Sequence, residues 1–570
     1  MKKIFLFILV SSFSTAQNIV TPYEKGNGNQ TPTFQEIQAF YNNLDSSSPK
    51  IKIFNHGPAD SGDKLRTIVY SSDSKFSKKD MEKKLVILVN NAIHPGEPDG
   101  VDASSMLLRD LVEGKISEPK NVMLVVIEAY NIGGMLNRGS YSRANQNGPE
   151  QYGFRGNAQN YDLNRDFIKT DSRNAQSFQE LYHHYNPDIF IDNHVSNGAN
   201  YQHTLTYIAT SKDRLGKTLG NYYYQKMNPS ILQDLKKKNI HAIPYVNVWG
   251  TSPDNGYDGF MDTPRYATGY TTLFGTIGTV PETHMLKPYK DRVHVTYENM
   301  LSYINYANNN AKEIKAIRKE SQSELAPGKV YFLDYQIDRT KPEQIEFKGF
   351  YAGKKKSEVT GAMRLYYDRS KSYTKTIPFY NTFKPLKEIK IPRYYVIPQG
   401  QWKVIEHLKR NQIAMQELDK DSVLVVEEYK ISDYKTSARP YEGHYLHYDT
   451  TVKSAMRQTS FRKGDYLVPT TQRGIKYILE TLEPAAVDSF FNWNFFDSYL
   501  GQKEHFSDYV FEATAANLLK EDKALKTAFE LEKVANKDLA KDPKKQLEWI
   551  YQNSKYFELS FLRYPIYRLP

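Results

Sequence analysis

The chain has 570 residues, of which 39% are hydrophobic, with a formal net charge of +11 and no cysteine. This length exceeds what one ordinary hydrophobic core organises, so we expect two to four domains. Without cysteine, disulfides and thiolate metal sites are excluded, and a metal would have to bind to His and carboxylate groups. No dense block of Lys and Arg indicates a nucleic-acid groove. The positive charge is more typical of a solvated basic surface outside the cell.

The apolar stretch at the start of the sequence predicts a secretory signal peptide. Lys2 and Lys3 precede the apolar residues 4–10, and small residues follow at Ser14 and Ala16. The apolar run is too short to span a bilayer, and we expect cleavage after Ala16. The sequence therefore predicts an exported protein, periplasmic or extracellular, with no transmembrane segment.

Strands that alternate with helices are predicted for the first half of the chain. The strands are expected at residues 51–54, 65–71, 84–90, 121–130, 187–194 and 272–280. The helices are expected at residues 34–44, 98–113, 173–185 and 291–322, from the spacing of their apolar positions. This alternation predicts an α/β domain with a mixed sheet over residues 17–325, with a ligand site at the carboxyl edge of the sheet.

The pattern changes after the Pro327-Gly328 boundary. Short strands such as residues 329–335 and 422–429 predict a β-rich accessory domain over residues 326–473. Helical patterns return in the tail, at residues 523–536 and 545–551, and predict a helical C-terminal region over residues 474–570.

Residues suited to metal binding and acid–base chemistry stand at the ends of three predicted strands. His94 and Glu97 follow the first of these strands across a Pro-Gly turn, and His194 and Glu282 follow the other two. Neutral imidazoles and carboxylates suit Zn²⁺, and a catalytic zinc site needs three protein ligands and one open position. The alternative is that His94 is the polar end of a strand and Glu97 begins a helix.

A polar loop between these strands is a candidate anion-binding pocket. It contains Arg155, Asn164 and Arg165, and two arginines beside a metal would attract an anionic group. A surface salt bridge is the commoner role of a single arginine, so only the set as a whole carries the prediction.

Together these motifs resemble the family of zinc carboxypeptidases related to carboxypeptidase A, over about residues 30–310. The resemblance rests on His94-Pro95-Gly96-Glu97, on Arg155 nine residues before Asn164, on Asp162-Leu163-Asn164-Arg165, on His194 and on Glu282. It implies an α/β catalytic domain, one zinc ion per chain and hydrolysis of C-terminal peptide bonds.

The resemblance also implies the ligands of the zinc ion. His94, Glu97 and His194 would bind the metal, and Asp162 would orient His94 through a hydrogen bond.

The same resemblance implies the residues that act on the substrate. Glu282 would be the general base, and Arg155 would stabilise the tetrahedral oxyanion. Asn164 and Arg165 would bind the terminal carboxylate of the substrate. We select Tyr270 as the counterpart of the mobile active-site tyrosine of the family.

The sequence departs from the family pattern in three places. The family usually has Asn-Pro-Asp-Gly where this chain has Asn131-Ile132-Gly133-Gly134. Its active-site tyrosine has no clear match, and Tyr257 and Tyr266 are candidates beside Tyr270. The specificity pocket cannot be aligned, although Arg265 is a candidate for recognition of an acidic side chain.

Four functions are compatible with these residues. The leading hypothesis is an exported zinc metallocarboxypeptidase that acts on peptides. The alternatives are an amidase that cleaves the peptide stems of peptidoglycan, an N-acyl amino-acid deacylase, and a non-catalytic protein that binds peptides or glycans. An intact Glu282 disfavours the binding protein, because a binder needs no carboxylate placed as a base. The sequence leaves the oligomeric state and the role of residues 326–570 open.

Overall fold

The computed structural model describes residues 19–570, so the predicted signal peptide at residues 1–16 lies outside the described residues. The chain divides into two compact units. The first contains the chain up to Glu324 together with Ile337–Lys384, and the second contains Leu325–Gln336 together with Pro385–Pro570. The boundaries expected from the sequence, at residues 325/326 and 473/474, stay predictions. Among the helices of residues 19–570, none is both long and apolar enough to cross a membrane.

A mixed sheet forms the centre of the first unit. Its strands are β1 Ile51–Pro58, β2 Lys64–Ser71, β3 Leu85–Asn90, β4 Val122–Ile127, β5 Ile189–Asp192, β6 His194–Ser196, β7 Leu205–Ala209, β8 Ile243–Pro244 and β10 Ile277–His284, whereas β9 Tyr257–Asp258 lies outside this sheet. Within the described residues the sheet has nine strands in the order β1-β2-β4-β3-β5-β10-β7-β8, and β6 also pairs with β10. Strands β4, β3, β5 and β10 are parallel to one another, as are β7 and β8, whereas the β1–β2, β2–β4 and β10–β7 pairs are antiparallel. The mixed α/β class predicted for this part of the chain is therefore confirmed.

Helices pack around this sheet. They are α1 Pro22–Lys25, α2 Phe34–Ser47, α3 Lys78–Lys83, α4 Asp99–Val112, α5 Ile132–Leu136, α6 Arg173–Tyr185, α7 Lys212–Leu215, α8 Lys217–Tyr222, α9 Asn228–Lys237, α10 Ala267–Thr272 and α11 Tyr289–Ser321. The start of α2 shows why such helices begin where they do. Thr33 accepts a hydrogen bond from the Glu36 backbone N–H, and the Glu36 carboxylate accepts one from the Thr33 N–H, which forms a capping box.

The central strands are buried on both faces, as their unbroken apolar sequences predict. Every residue of β3 and of β4 is buried. Parallel strands covered by helices on both sides lack the polar alternation of a half-exposed strand. The polar residue of these two strands is Asn90, which is the last residue of β3.

Strand β10 differs from its prediction. Residues 267–272 form α10, and β10 begins at Ile277 and continues through Pro281 to His284, so Glu282 lies inside the strand. Proline lacks an N–H group and usually interrupts a central strand. Here β10 pairs with β5 up to Thr279 and with β6 from Glu282 onward, so Pro281 lies between the two ladders. In this register Glu282 is directly opposite His194.

The remaining strands and helices follow residue 324. Hairpin β12 Glu343–Lys356 and β13 Met363–Tyr380 pairs with β9 in the first unit. The other elements are β11 Val330–Ile337, β14 Phe383–Lys390, β15 Tyr394–Ile397, β16 Gln416–Glu417, β17 Ser422–Thr436, β18 His447–Phe461, β19 Tyr466–Pro469, β20 Tyr567–Leu569, α12 Trp402–Arg410, α13 Ile475–Leu482, α14 Asp508–Glu521, α15 Lys523–Ala535, α16 Lys537–Lys541 and α17 Pro543–Gln552. A six-stranded sheet in the order β16-β19-β15-β20-β17-β18 lies in the second unit, and α14 to α17 lie in its C-terminal part.

Candidate metal centre

A tight turn after β3 presents His94 and Glu97 on the same side of the chain. The Glu97 backbone N–H donates a hydrogen bond to the His94 carbonyl oxygen at 2.8 Å, which closes the turn. Gly96 lies inside this turn, and a Cβ atom there would be 3.1 Å from the Gly153 carbonyl oxygen. The neighbouring loop packs against the turn at this point, so glycine is the residue that fits.

His94, Glu97 and His194 converge in the structure. One potential ligand atom from each side chain lies within 4.8 Å of those of the other two. The His94 Nδ1 atom is 3.3 Å from Glu97 Oε1, and the His194 Nδ1 atom is 3.1 Å from Glu97 Oε2. All three residues are buried. The sequence thus identified three residues that the fold brings together.

Two further carboxylates orient the two imidazoles. His94 Nε2 is 2.9 Å from Asp162 Oδ1, and His194 Nε2 is 3.0 Å from Asp192 Oδ2. A ring that donates its Nε2–H to a carboxylate keeps its Nδ1 lone pair available, which is the usual arrangement of a metal-binding histidine. Asp162 was predicted from the sequence but Asp192 was not, although this aspartate stands two residues before His194 at the end of β5.

The residues of this centre fit a bound cation. The buried His94 Nδ1 atom has no hydrogen-bond partner within residues 19–570. Burial would lower the pKa of His194, but the carboxylates of Asp192 and Glu97 hold it well above its ordinary value. Three carboxylates around two imidazoles supply more negative charge than the rings need, so a metal ion would be well accommodated here.

Arg143 is a further residue of the candidate centre, and it was not predicted from the sequence. Its Nη1 and Nη2 atoms donate to Glu97 Oε1 at 2.9 and 3.1 Å. Its Nε atom donates to Gln146 Oε1 at 2.7 Å, and the Gln146 amide donates to the Gly96 carbonyl oxygen at 2.9 Å. Burial would raise the pKa of Glu97, but Arg143 and His94 hold it well below its ordinary range. Arg143 therefore keeps Glu97 ionised and fixes its orientation.

The centre opens into a cleft of about 770 Å³, lined among others by His94, Glu97, Arg155, Arg165, His194 and Glu282. Burial raises the pKa of Glu282 to about 8. A positive charge nearby would favour its ionised form and lower this pKa. The cleft thus combines the candidate metal centre with a carboxylate of perturbed pKa, which is typical of catalytic sites.

The candidate anion-binding residues lie along the wall of the same cleft. The Arg155 Nε atom donates to Asp162 Oδ2 at 3.0 Å, and the Arg155 side chain is 45% exposed. The Arg165 guanidinium lies 4.5 Å from the ring centroid of Tyr266. Asn164 Oδ1 accepts a hydrogen bond from the Ala267 backbone N–H at 3.2 Å, which ties this wall to the start of α10.

Tyr270, the predicted active-site tyrosine, is not among the residues that line this cleft. It belongs to α10 and is fully buried against α6. Its hydroxyl group is 3.3 Å from His183 Nε2, and its ring packs against Phe167. The segment from residue 267 is a helix, and this helix directs Tyr270 into the core. The tyrosines that line the cleft are Tyr245 and Tyr266.

Comparison with known proteins gives matches among solved structures only. No protein-family model matches the chain, and no curated protein matches it. Similar structures include a putative carboxypeptidase A from Shewanella denitrificans, with 14% identity over 49% of this chain and 69% of that chain, at a TM-score of 0.37. A metallo-carboxypeptidase from Burkholderia cenocepacia has 14% identity over 49% and 70% of the two chains, also at 0.37. The carboxypeptidase A from Helicoverpa armigera has 11% identity over 50% and 75%, again at 0.37. Two of these structures are thus named as carboxypeptidase A and one as a metallo-carboxypeptidase.

Proposed function

We propose that the protein is a zinc metallocarboxypeptidase that hydrolyses the C-terminal peptide bond of its substrates. The observation that carries this proposal is the convergence of His94, Glu97 and His194 beside Glu282 in one cleft. Export to the periplasm or the outside of the cell is part of the proposal. So is a catalytic domain over residues 17–325, with accessory roles for the rest of the chain.

Two histidines and one glutamate form a ligand set that suits zinc and leaves a position open. A zinc ion bound there would polarise the substrate carbonyl and lower the pKa of a water molecule to about 7. Asp162 and Asp192 would hold the imidazole rings in the orientation that the metal requires.

Glu282 would act as the general base. It lies opposite His194 in the β10–β6 ladder, so the rigid sheet sets its distance from the metal centre. It would accept a proton from the attacking water and pass that proton to the leaving amine. A group whose pKa lies near neutral pH can carry out both transfers.

The arginines of the cleft would bind the charged parts of the substrate. Arg155 would donate hydrogen bonds to the oxyanion of the tetrahedral intermediate. Arg165 and Asn164 would bind the terminal carboxylate, and the planar guanidinium can donate two parallel hydrogen bonds to it. Recognition of that carboxylate is what restricts cleavage to the end of a chain.

The experiment that tests this proposal uses the zinc-loaded protein with a peptide library and with peptidoglycan stem peptides, read by mass spectrometry. We expect products that are one C-terminal residue shorter. Cleavage restricted to γ-glutamyl bonds would assign the protein as a peptidoglycan amidase instead. Binding without any product would assign it as a non-catalytic binding protein.

The carboxylates behind the histidines give a prediction about metal affinity. Replacing Asp192 by Asn, or Asp162 by Asn, should weaken zinc binding by about 10- to 100-fold, because the imidazole loses a charged hydrogen-bond acceptor. The measurement is competition with a chelator of known zinc affinity. Asp45→Asn, on helix α2, is the matched control and should bind zinc like the wild type. Unchanged affinity in both cleft variants would contradict the roles given to these aspartates.

A further inference from the structure

A second, smaller cavity adjoins the main cleft. It has a volume of about 200 Å³, and Asn145, Asn197 and Trp249 line both this cavity and the main cleft. Leu365 and Tyr367 of strand β13 also line it, and we call it the Trp249 cavity. Both cavities belong to the first compact unit, which includes residues 337–384. Because they share three residues, a substrate at the metal centre can extend into the Trp249 cavity, which has no role in the proposed mechanism.

Trp249 presents a large aromatic surface to this cavity. The residue is 58% exposed, and its Nε1–H group donates a hydrogen bond to Asn247 Oδ1 at 3.2 Å. Gly198 lies beside the indole ring, since a Cβ atom there would be 3.6 Å from Trp249 Cε2, and its φ of +106° also favours glycine. The ring is thus held in place while more than half of its surface stays accessible to a ligand. Accessible aromatic surface in a cleft is typical of a binding site.

Hairpin β12–β13 braces the segment that carries Trp249. The Tyr367 hydroxyl group donates to the Thr251 carbonyl oxygen at 3.1 Å, and Lys375 Nζ donates to the Asp254 carbonyl oxygen at 2.9 Å. Residues of the hairpin also share one hydrophobic cluster with the segments beside the cavity, which includes Ala199, Val246, Val248, Tyr257, Phe347, Ile377 and Phe379. The hairpin therefore fixes the position of Trp249, as a residue that binds a ligand in one orientation requires.

The lining of the Trp249 cavity is polar but uncharged. Among the described residues that line it, none is Asp, Glu, Lys, Arg or His. Asn197 Oδ1 accepts a hydrogen bond from the Gly198 N–H at 2.8 Å, and Asn247 Oδ1 accepts the one from Trp249, so both amide NH2 groups lie outside these bonds. Arg265, the candidate for recognition of an acidic side chain, is absent from the described lining of both cavities. A neutral ligand with hydrogen-bonding groups is therefore complementary to this site.

A sugar ring combines the properties that this lining requires. One face of the ring presents C–H groups, whose partial positive charge is attracted to the negative face of an aromatic ring. Its hydroxyl groups donate and accept hydrogen bonds, and an asparagine amide does both as well. The side chain of a phenylalanine would also stack on Trp249, but it would leave the neighbouring amides without partners. The combination of an accessible indole with asparagine amides thus favours a sugar over an apolar ring.

We propose that the Trp249 cavity binds a sugar that the substrate carries, so that the enzyme prefers glycopeptides to unmodified peptides. This proposal rests on the proposed carboxypeptidase function. Asn164 and Arg165, which would bind the terminal carboxylate, line the main cleft but are not among the described residues of the Trp249 cavity. The sugar would therefore be attached to a residue upstream of the scissile bond, with Trp249 as the residue that determines specificity.

The test compares peptides of one sequence in which a single serine is unmodified or carries O-linked N-acetylglucosamine, N-acetylgalactosamine or mannose. The serine is placed in turn at the second to the fifth position from the C-terminus. We expect kcat/KM for at least one glycopeptide to be at least about 10-fold higher than for its unmodified counterpart, the scale of one stacked ring with neutral hydrogen bonds. Phenylalanine in place of the serine tests an apolar ring and should give a smaller increase. No preference for any glycopeptide, or a larger increase with phenylalanine, would overturn the proposal while leaving the carboxypeptidase function intact.

Two tryptophan variants locate the sugar. Trp249→Ala should lose most of the preference for the glycopeptide. Trp402→Ala, which removes a tryptophan of α12 that is 55% exposed, is the matched control and should retain it. A preference that survives in the Trp249→Ala protein would overturn the assignment of this cavity.

A binding measurement separates sugar recognition from catalysis. With the Glu282→Gln protein, which should bind peptides without cleaving them, we expect the preferred glycopeptide to bind at least about 10-fold more tightly than the unmodified peptide by calorimetry. Adding Trp249→Ala should remove this difference, and equal affinities in the Glu282→Gln protein would contradict the proposal. If no peptide is shortened, with or without a sugar, the proposed carboxypeptidase function fails, and the binding comparison still decides whether the cavity recognises a sugar.

Discussion

Replacing Glu282 by Gln should lower kcat by at least about 100-fold, the scale of a general-base contribution. The amide has almost the same shape as the carboxylate but cannot accept the proton of the attacking water. Since Glu282 is not one of the proposed metal ligands, zinc content and substrate affinity should stay close to those of the wild type. The measurement is steady-state kinetics, with zinc determined by elemental analysis and affinity by equilibrium binding.

Glu82→Gln, on the exposed side of α3, is the control and should leave kcat unchanged. If the Glu282→Gln protein retains most of its rate, another carboxylate is the base. Asp262 would then be the first candidate, because its carboxyl group lines the same cleft. A loss of zinc in the Gln variant would instead indicate that Glu282 is a metal ligand.

Replacing Arg165 by Ala should lower kcat/KM on free-acid peptides by roughly 30- to 5,000-fold, which corresponds to about 2–5 kcal/mol for one side of a buried charge pair. The physical reason is the loss of a forked donor that matches the geometry of a carboxylate. Arg165 lies in a short helical turn, where its Nη1 atom is 2.7 Å from the Asn164 carbonyl oxygen and its guanidinium lies over the ring of Tyr266. Its removal should therefore leave the metal centre in place.

Arg165→Lys separates charge from geometry in this prediction. Lysine keeps the positive charge but presents a single ammonium group in place of the planar fork, so we expect an intermediate rate. Zinc content and the thermal unfolding midpoint should match the wild type in both variants. Equal rates for Ala and wild type would show that another group binds the terminal carboxylate.

The residues of the candidate metal centre could be predicted from the sequence because they follow clearly apolar strands. The apolar run before His94 and the Pro-Gly turn after it are local features, and they fix the position of Glu97. Parallel strands end at the same edge of a sheet, so His194 and Glu282 could be expected nearby. The exact pairing of Glu282 with His194 could not be predicted, because it depends on the change of partner of β10 beside Pro281.

Cleft residues that lie in loops were harder to predict than those that follow strands. Arg143 and Asp262 reach the cleft from long connections, and nothing in their local sequence distinguishes them from surface charges. Tyr270 was selected from the sequence as the counterpart of the active-site tyrosine of the family, but its segment forms helix α10, which turns the ring into the core. Periodicity identifies buried elements, whereas the direction of a loop side chain is determined by packing between distant segments.

One measurement distinguishes a carboxypeptidase from other hydrolases that could use this cleft. The zinc-loaded wild-type protein is given pairs of peptides that are identical except for a free C-terminal carboxylate or a C-terminal amide, and the initial rates are compared. We predict that each free acid loses its last residue and that the amides are cleaved at least about 30-fold more slowly, because Arg165 and Asn164 need an anion to bind. Equal rates on acids and amides would contradict the carboxypeptidase function, even if the zinc ion and Glu282 behave as expected.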